Sequence, residues 1–223
     1  MSLKTSRYLK EKNYSFLIFC GIAGPFIFIV SFLIQSIFKK GYSALKYPIS
    51  SLAIGHNGAV QIFTFICCGL LLILFSIAVQ KKINKKIISI LFALAGIGLI
   101  ASGIFSTDPV YGYPEELPFI NNEFTVSGKL HTLFSLLVFI NIPIICFIMA
   151  RYFAVQKHRK WKYYSVVTGI LMLLLFLLTG FAFNNFSGLG AVAGLIQRLC
   201  VIIGFVWIIL FSFHLFSLKT YPG

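Results

Sequence analysis

Six long apolar runs divide this 223-residue chain, with short polar connections between them. The hydrocarbon core of a bilayer is roughly 30 Å thick, a distance that an α-helix of about 20 apolar residues can span. A composition of 59% hydrophobic and 11% charged residues is not that of a water-soluble domain. We therefore predict an all-α polytopic membrane protein, a bundle of six transmembrane helices forming a single domain over residues 1–223. The predicted spans are residues 15–38, 59–79, 87–107, 130–150, 163–183 and 192–216.

The charged residues predict how the helices are oriented. Most of the 19 lysines and arginines precede the first span or lie in the second and fourth connections, whereas most of the acids share the third. The positive-inside rule assigns the basic connections to the cytoplasm, so we predict cytoplasmic N- and C-termini and an outward-facing segment 108–129. The net charge of +14 then meets anionic lipid head groups, which argues against a nucleic-acid partner. The acids of the third connection are Asp108, Glu115, Glu116 and Glu123.

Polar side chains collect at the predicted outer ends of the spans, which predicts an outward-facing polar pocket. Arg198 is the most informative of them, because an unpaired guanidinium inside an apolar helix costs roughly 3 kcal/mol or more. It needs an anion, which would be Asp108, a lipid phosphate or an anionic substrate, and we expect Asp108 when the pocket is empty. The predicted ligand-binding residues are Ser50, Ser51, Asp108, His131, Gln197 and Arg198.

Helix capping and packing give an alternative account of the same polar residues. Asp108 can terminate one helix, Asn184 can be the C-cap of another, and His131 can be a hydrogen-bonded packing residue.

Two local patterns predict structure more directly. Pro48 predicts the start of a short interfacial helix, and small residues at helical spacing in the third span predict a close contact between helices. Those small residues are Ala95, Gly98, Ser102 and Ser106.

Two catalytic hypotheses use residues of the same pocket. A serine nucleophile, either Ser50 or Ser51, with His131 as base would form a hydrolase triad in which Asp108 orients the histidine. No nucleophile-elbow sequence surrounds either serine. His56, Asp108 and His131 would instead make a three-ligand zinc site with one open position. The spacing of these ligands contains no His-x-x-x-His pair, so we predict neither a metal nor another cofactor.

The polar motifs resemble those of a family of bacterial membrane proteins catalogued as domain of unknown function 998. The resemblance extends over nearly the whole chain and implies a six-helix bacterial membrane protein, which we place in the bacterial cytoplasmic (inner) membrane. It implies no activity. The resembling stretches are Pro25 in the first span, Tyr47-Pro48-Ile49-Ser50-Ser51-Leu52, Gly103-Ile104-Phe105-Ser106-Thr107-Asp108-Pro109, Gly128-Lys129-Leu130-His131 and Gly194-Leu195-Ile196-Gln197-Arg198.

The function predicted from these observations is binding of an amphiphile or lipid head group at the outward-facing pocket. Arg198 would hold the anion, and Asp108, His131, Ser51 and Gln197 would shape the site. The expected partners are membrane lipids and a small amphiphilic ligand. The alternatives are a membrane-embedded hydrolase, serine- or metal-dependent, that uses the same pocket, and a structural or accessory membrane subunit. A transporter would need polar or broken helices near the midplane, and there only Asn141, close to Pro143, meets this requirement.

Overall fold

The computed structural model of the chain describes residues 3–110, 113–114, 124–184 and 188–217, with the side chains of the first helix described from residue 14 on. This part of the chain contains six helices long and apolar enough to cross a membrane, which confirms the predicted fold class. Residues Glu115, Glu116 and Glu123 of the predicted acidic segment lie outside the described residues. The helices are α1 Leu3–Phe38, α2 Gly58–Ile83, α3 Lys86–Ile104, α4 Val126–Val155, α5 Arg159–Phe183 and α6 Ala193–Ser217.

The six helices form a closed ring. Each helix packs against the next in the chain, and α6 packs against α1. We call the end that holds connections 39–57 and 105–125 the outer end, and the opposite end the inner end. Aromatic rings fill the centre of the inner half: Phe92 stacks on Phe211 with ring centroids 6.3 Å apart, and Trp207 stacks on Phe211 at 5.0 Å. The inner half is therefore closed by side chains.

Small residues allow two of the helix pairs to approach closely. A Cβ atom at Gly69 of α2 would lie 2.5 Å from the carbonyl oxygen of Gly96 in α3, so neither position has room for a side chain. Between α3 and α4, Gly98 faces the Phe134 carbonyl, and the Ser102 and Ser135 hydroxyls are hydrogen-bonded at 3.0 Å. The close contact predicted from the small residues of the third span is thus confirmed at Gly98 and Ser102.

Two helix ends differ from the predicted spans at the outer end of the bundle. Helix α3 ends at Ile104 and not at residue 107, because Phe105 adopts an extended conformation (φ −87°, ψ 117°). Helix α4 begins at Val126 and not at residue 130, because the Thr125 side chain caps it one turn before the apolar run starts. The short helix expected after Pro48 is confirmed as a 3₁₀ helix, Ile49–Ala53.

Candidate functional site

A cavity of about 350 Å³ lies inside the outer half of the ring, and all six helices contribute to its walls. Most of the wall is apolar, with Phe28, Phe65 and Phe205 among its residues. Polar side chains lie among these apolar walls. We call them the polar lining, and they include Ser50, Thr107, Asp108, His131 and Gln197. An apolar interior with a few polar groups is typical of sites that bind small organic ligands.

The structure brings together four of the six predicted ligand-binding residues. Ser50, Asp108, His131 and Gln197 all line the cavity. Ser51 and Arg198 are buried and are not part of its lining. The other two predicted side chains therefore point away from the cavity that these four share.

The three residues of the hypothetical zinc site do not come together. His56 lines a second, wider depression of about 740 Å³, together with Lys39 and Lys40. Asp108 and His131 line the first cavity. Within the part of the chain that the structure describes, no group of three His, Cys, Asp or Glu side chains could hold a metal ion. The zinc hypothesis built on these residues is wrong, because His56 belongs to another surface.

His131 is held by the end of α3. Its Nδ1 lies 2.9 Å from the carbonyl oxygens of both Ser102 and Phe105. Carbonyls in the last turn of a helix lack helical partners, so Nδ1–H donates to them, and Nε2 is then the acceptor nitrogen of the neutral ring. The packing account of His131 is confirmed in this respect. Asp108 does not orient the ring, so the predicted triad geometry is wrong.

Asp108 stabilises the start of α4. Its Oδ2 accepts from the Thr125 backbone N–H at 3.1 Å, and its Oδ1 accepts from the Thr125 hydroxyl at 2.6 Å. The Thr125 hydroxyl oxygen in turn accepts from the Gly128 N–H at 3.0 Å. A carboxylate at a helix N-terminus is also favoured by the helix dipole. Asp108 therefore joins the end of α3 to the beginning of α4.

This cap gives a first testable prediction. Replacing Thr125 with valine removes the oxygen that accepts from Gly128 N–H, so we expect a loss of about 1 kcal/mol in the free energy of unfolding. Thr125→Ser keeps that oxygen and is the matched control. Thermal unfolding of the two variants in the same detergent checks the prediction. Equal losses in both variants would show that the cap contributes nothing.

Arg198 lies in a neutral cage between α6, α1 and the first outer connection. One terminal guanidinium nitrogen donates to the carbonyl oxygens of Tyr47 (2.8 Å) and Gly194 (2.9 Å). The other donates to the hydroxyls of Ser36 (3.3 Å) and Tyr42. Its Nε–H has no partner among the described residues. The expected ion pair with Asp108 is wrong: the described partners of Arg198 are neutral, and Asp108 binds Thr125.

The Tyr42 hydroxyl links Arg198 to the backbone of the first outer connection through two hydrogen bonds. Burial raises the pKa of Tyr42, against the opposing effect of the Arg198 charge. The hydroxyl therefore stays protonated at neutral pH, where it accepts from Arg198 and donates to the Pro48 carbonyl at 2.9 Å. Sequence reasoning missed Tyr42, because a tyrosine in an outer connection is also the ordinary interfacial residue of a membrane protein.

The motifs that carried the family resemblance bind one another in pairs. In the first pair, the Ile49 N–H donates to Gln197 Oε1 at 2.8 Å, and Gly194 leaves room for the Tyr47 carbonyl. These contacts join segment 47–52 to segment 194–198. In the second pair, His131 joins segment 128–131 to the Phe105 carbonyl of segment 103–109. Asp108 of segment 103–109 binds Thr125, three residues before segment 128–131. Both pairs border the cavity. Among the residues that sequence reasoning missed, Thr125 carried an N-cap signal, being a threonine just before an apolar helix.

Comparison with protein families gives the chain an identity at the level of the family. The model of a family described as "Protein of unknown function (DUF998)" matches residues 22–214, which is most of the chain. Comparisons with curated proteins and with solved structures found no match. The matched range includes both motif pairs and contributions from all six helices to the cavity. The chain therefore belongs to the DUF998 family, which the short motifs at the outer helix ends predicted.

Proposed function

We propose that the protein binds an amphiphile in the cavity, with the polar part of the ligand at the polar lining and its apolar part against the phenylalanine walls. The observation that carries this proposal is the combination of apolar walls with Ser50, His131 and Gln197 in one cavity of about 350 Å³. That volume is near the lower end of the roughly 300–1,000 Å³ of small-molecule pockets. It suits a small head group together with part of one hydrocarbon chain.

The hydrogen-bonding capacity of the polar lining supports this function. Gln197 uses its oxygen to hold Ile49, which leaves the amide N–H groups for a ligand. His131 uses Nδ1 to hold the end of α3, which leaves Nε2 as an acceptor. The two side chains that position the lining therefore also supply one donor and one acceptor to the cavity. A ligand hydroxyl can accept from the first kind of group and donate to the second.

The binding proposal predicts that the bound ligand is lost when the cavity is filled. Val201 of α6 lines the cavity and is 7% exposed, whereas Val206 of the same helix is 36% exposed and does not line it. We expect native mass spectrometry of the gently extracted protein to find a bound amphiphile that Val201→Phe loses and Val206→Phe keeps. Both variants must unfold near the wild-type temperature. Equal retention by two well-folded variants would contradict binding in this cavity.

The proposal also includes an orientation: the protein lies in the bacterial cytoplasmic membrane with both termini in the cytoplasm and the cavity at the outer face. The alternation of basic and acidic connections supports it. In a chain without its native cysteines, a membrane-impermeant thiol reagent added from outside should label His56→Cys and not Lys85→Cys. Both positions are exposed and lie at opposite ends of α2. Labelling of Lys85→Cys from outside would reverse the assignment.

A serine hydrolase is the second candidate function, because Ser50 and the acceptor nitrogen of His131 belong to the same cavity. Ser51 is the weaker nucleophile candidate, since it is buried outside the lining. A fluorophosphonate probe should then label Ser50, and His131→Ala should abolish the labelling. Absence of labelling in folded protein would contradict the hydrolase and leave the binding function.

A further inference from the structure

We propose that the ligand is a single-chain amphiphile with an uncharged, hydroxyl-bearing head group, and that its chain reaches the cavity sideways through a portal between α4 and α5. This inference rests on the proposed binding function and deepens it. Three observations carry it: the contacts between α4 and α5 near the inner end, the open space between these helices near the outer end, and the charges of the cavity lining.

Helices α4 and α5 pack closely towards the inner end. A Cβ atom at Gly169 of α5 would lie 2.9 Å from the ring of Phe147 in α4. Nearer the outer end, Phe139 of α4 stacks on Phe176 of α5 with ring centroids 5.1 Å apart. Both of these rings line the cavity. The Phe139–Phe176 pair is therefore the inner limit of the cavity at this seam.

Beyond that pair, towards the outer end, the seam is open. Thr132 of α4 and Gly180 of α5 line the cavity and are both exposed. A Cβ atom at Gly180 would have no heavy atom within 4 Å. The outer end of α5 packs instead on the start of α6, where Ala182 and Ala193 share a buried cluster. An opening of the cavity at this seam would lie between two helices that are long and apolar enough to cross a membrane, so that a lipid chain could enter through it.

The charges of the lining indicate the head group. Asp108 is the one formally charged side chain among the described residues that line the cavity, and both of its oxygens already accept from Thr125. Among the lining residues that the structure describes, a phosphate or carboxylate would therefore find one carboxylate and no cation. Arg198 lies outside the lining, in its cage of neutral oxygens. A hydroxyl head group has a donor and an acceptor to offer the uncharged Gln197 and His131 side chains, and it brings no charge to neutralise.

Photolabelling in vesicles tests the portal and the head group together. The wild-type protein is reconstituted in phosphatidylethanolamine and phosphatidylglycerol with a long-chain alcohol that carries a mid-chain diazirine. We expect saturable labelling of α4 and α5 near Thr132 and Gly180, suppressed by excess unlabelled alcohol. An alkyl phosphate of the same length and a diacylglycerol should not suppress it. Suppression by the phosphate would overturn the uncharged head group, and suppression by the diacylglycerol would overturn the single chain.

Substitutions at the portal separate its failure from failure of the binding function. Gly180→Trp fills open space at the portal, and Leu177→Trp, at a position that is 57% exposed and outside the lining, is the matched control. We expect Gly180→Trp to lose the saturable labelling and Leu177→Trp to keep it. Thr132→Trp blocks the other wall and should also lose it. Full labelling in both portal variants, together with ligand loss in Val201→Phe, would overturn the portal and retain the binding function.

Discussion

Replacing Arg198 with leucine is expected to loosen the first outer connection from α6 and to lower the free energy of unfolding by about 2 kcal/mol or more. Hydrogen bonds to charged groups contribute about 1.5–3 kcal/mol each, and the Tyr47 carbonyl and the Tyr42 hydroxyl would lose theirs. Relief of the desolvation cost of the guanidinium offsets part of this loss. Because segment 47–52 forms part of the cavity wall, retention of the ligand should fall as well.

Thermal unfolding and native mass spectrometry of Arg198→Leu check this expectation, with Arg198→Lys as control. Lysine keeps the charge but lacks the planar fork that serves several acceptors at once, so its loss should be intermediate. Asp108→Asn provides the second axis of a double-mutant cycle. Since the described partners of Arg198 differ from those of Asp108, their losses should add to within about 0.5 kcal/mol. Strong coupling between them would mean that the two residues meet after all.

Replacing Gly96 with alanine is expected to have an effect opposite in sign to the same change at Gly180. A Cβ atom at Gly96 would lie 2.6 Å from the Gly69 carbonyl oxygen, and α2 and α3 would have to separate. Overpacking of this kind costs typically about 1–3 kcal/mol, and contact with backbone places the expected loss at the upper end. At Gly180 the added methyl meets no atom within 4 Å, and alanine favours the helix by up to about 1 kcal/mol.

Melting temperatures of the two alanine variants, measured in one detergent, show whether the contact between α2 and α3 or the helix propensity of alanine has the larger effect. A lower value for Gly96→Ala together with an equal or higher value for Gly180→Ala is the expected result. If both variants melt above the wild type, helix propensity outweighs the contact between α2 and α3. If both melt below it, Gly180 has a structural role that the open space around it does not reveal.

The fold could be predicted from the sequence because helix length and hydropathy are fixed by the thickness of the bilayer. The ends of the helices were predicted less accurately, because a helix begins or ends where local groups satisfy its free backbone N–H and C=O groups. At the start of α4, the Thr125 hydroxyl does this for the Gly128 N–H. The closure of the ring through α6 and α1 had no signal in the sequence. The close contact of Gly69 with Gly96 had none either, because glycines are common throughout the apolar runs.

Four of the six residues predicted to form the site share the cavity at the outer end, and two do not. A sequence gives the depth of a residue along a helix, whereas the direction of its side chain depends on how the helix is rotated in the bundle. Consecutive residues of an α-helix point about 100° apart. Gln197 therefore lines the cavity while its neighbour Arg198 points into the cage beside it. In the short 3₁₀ helix, Ser50 and Ser51 diverge in the same way.

The aromatic packing of the inner half closes the cavity on its inner side. Phe75, Phe92, Phe211 and Trp207 are fully buried there, on three helices, and close the bundle below the cavity of the outer half. A molecule bound above them has to depart on the side from which it came. With the orientation proposed above, exchange is restricted to the outer leaflet, so the protein would sample the lipids of one leaflet without moving them across the membrane.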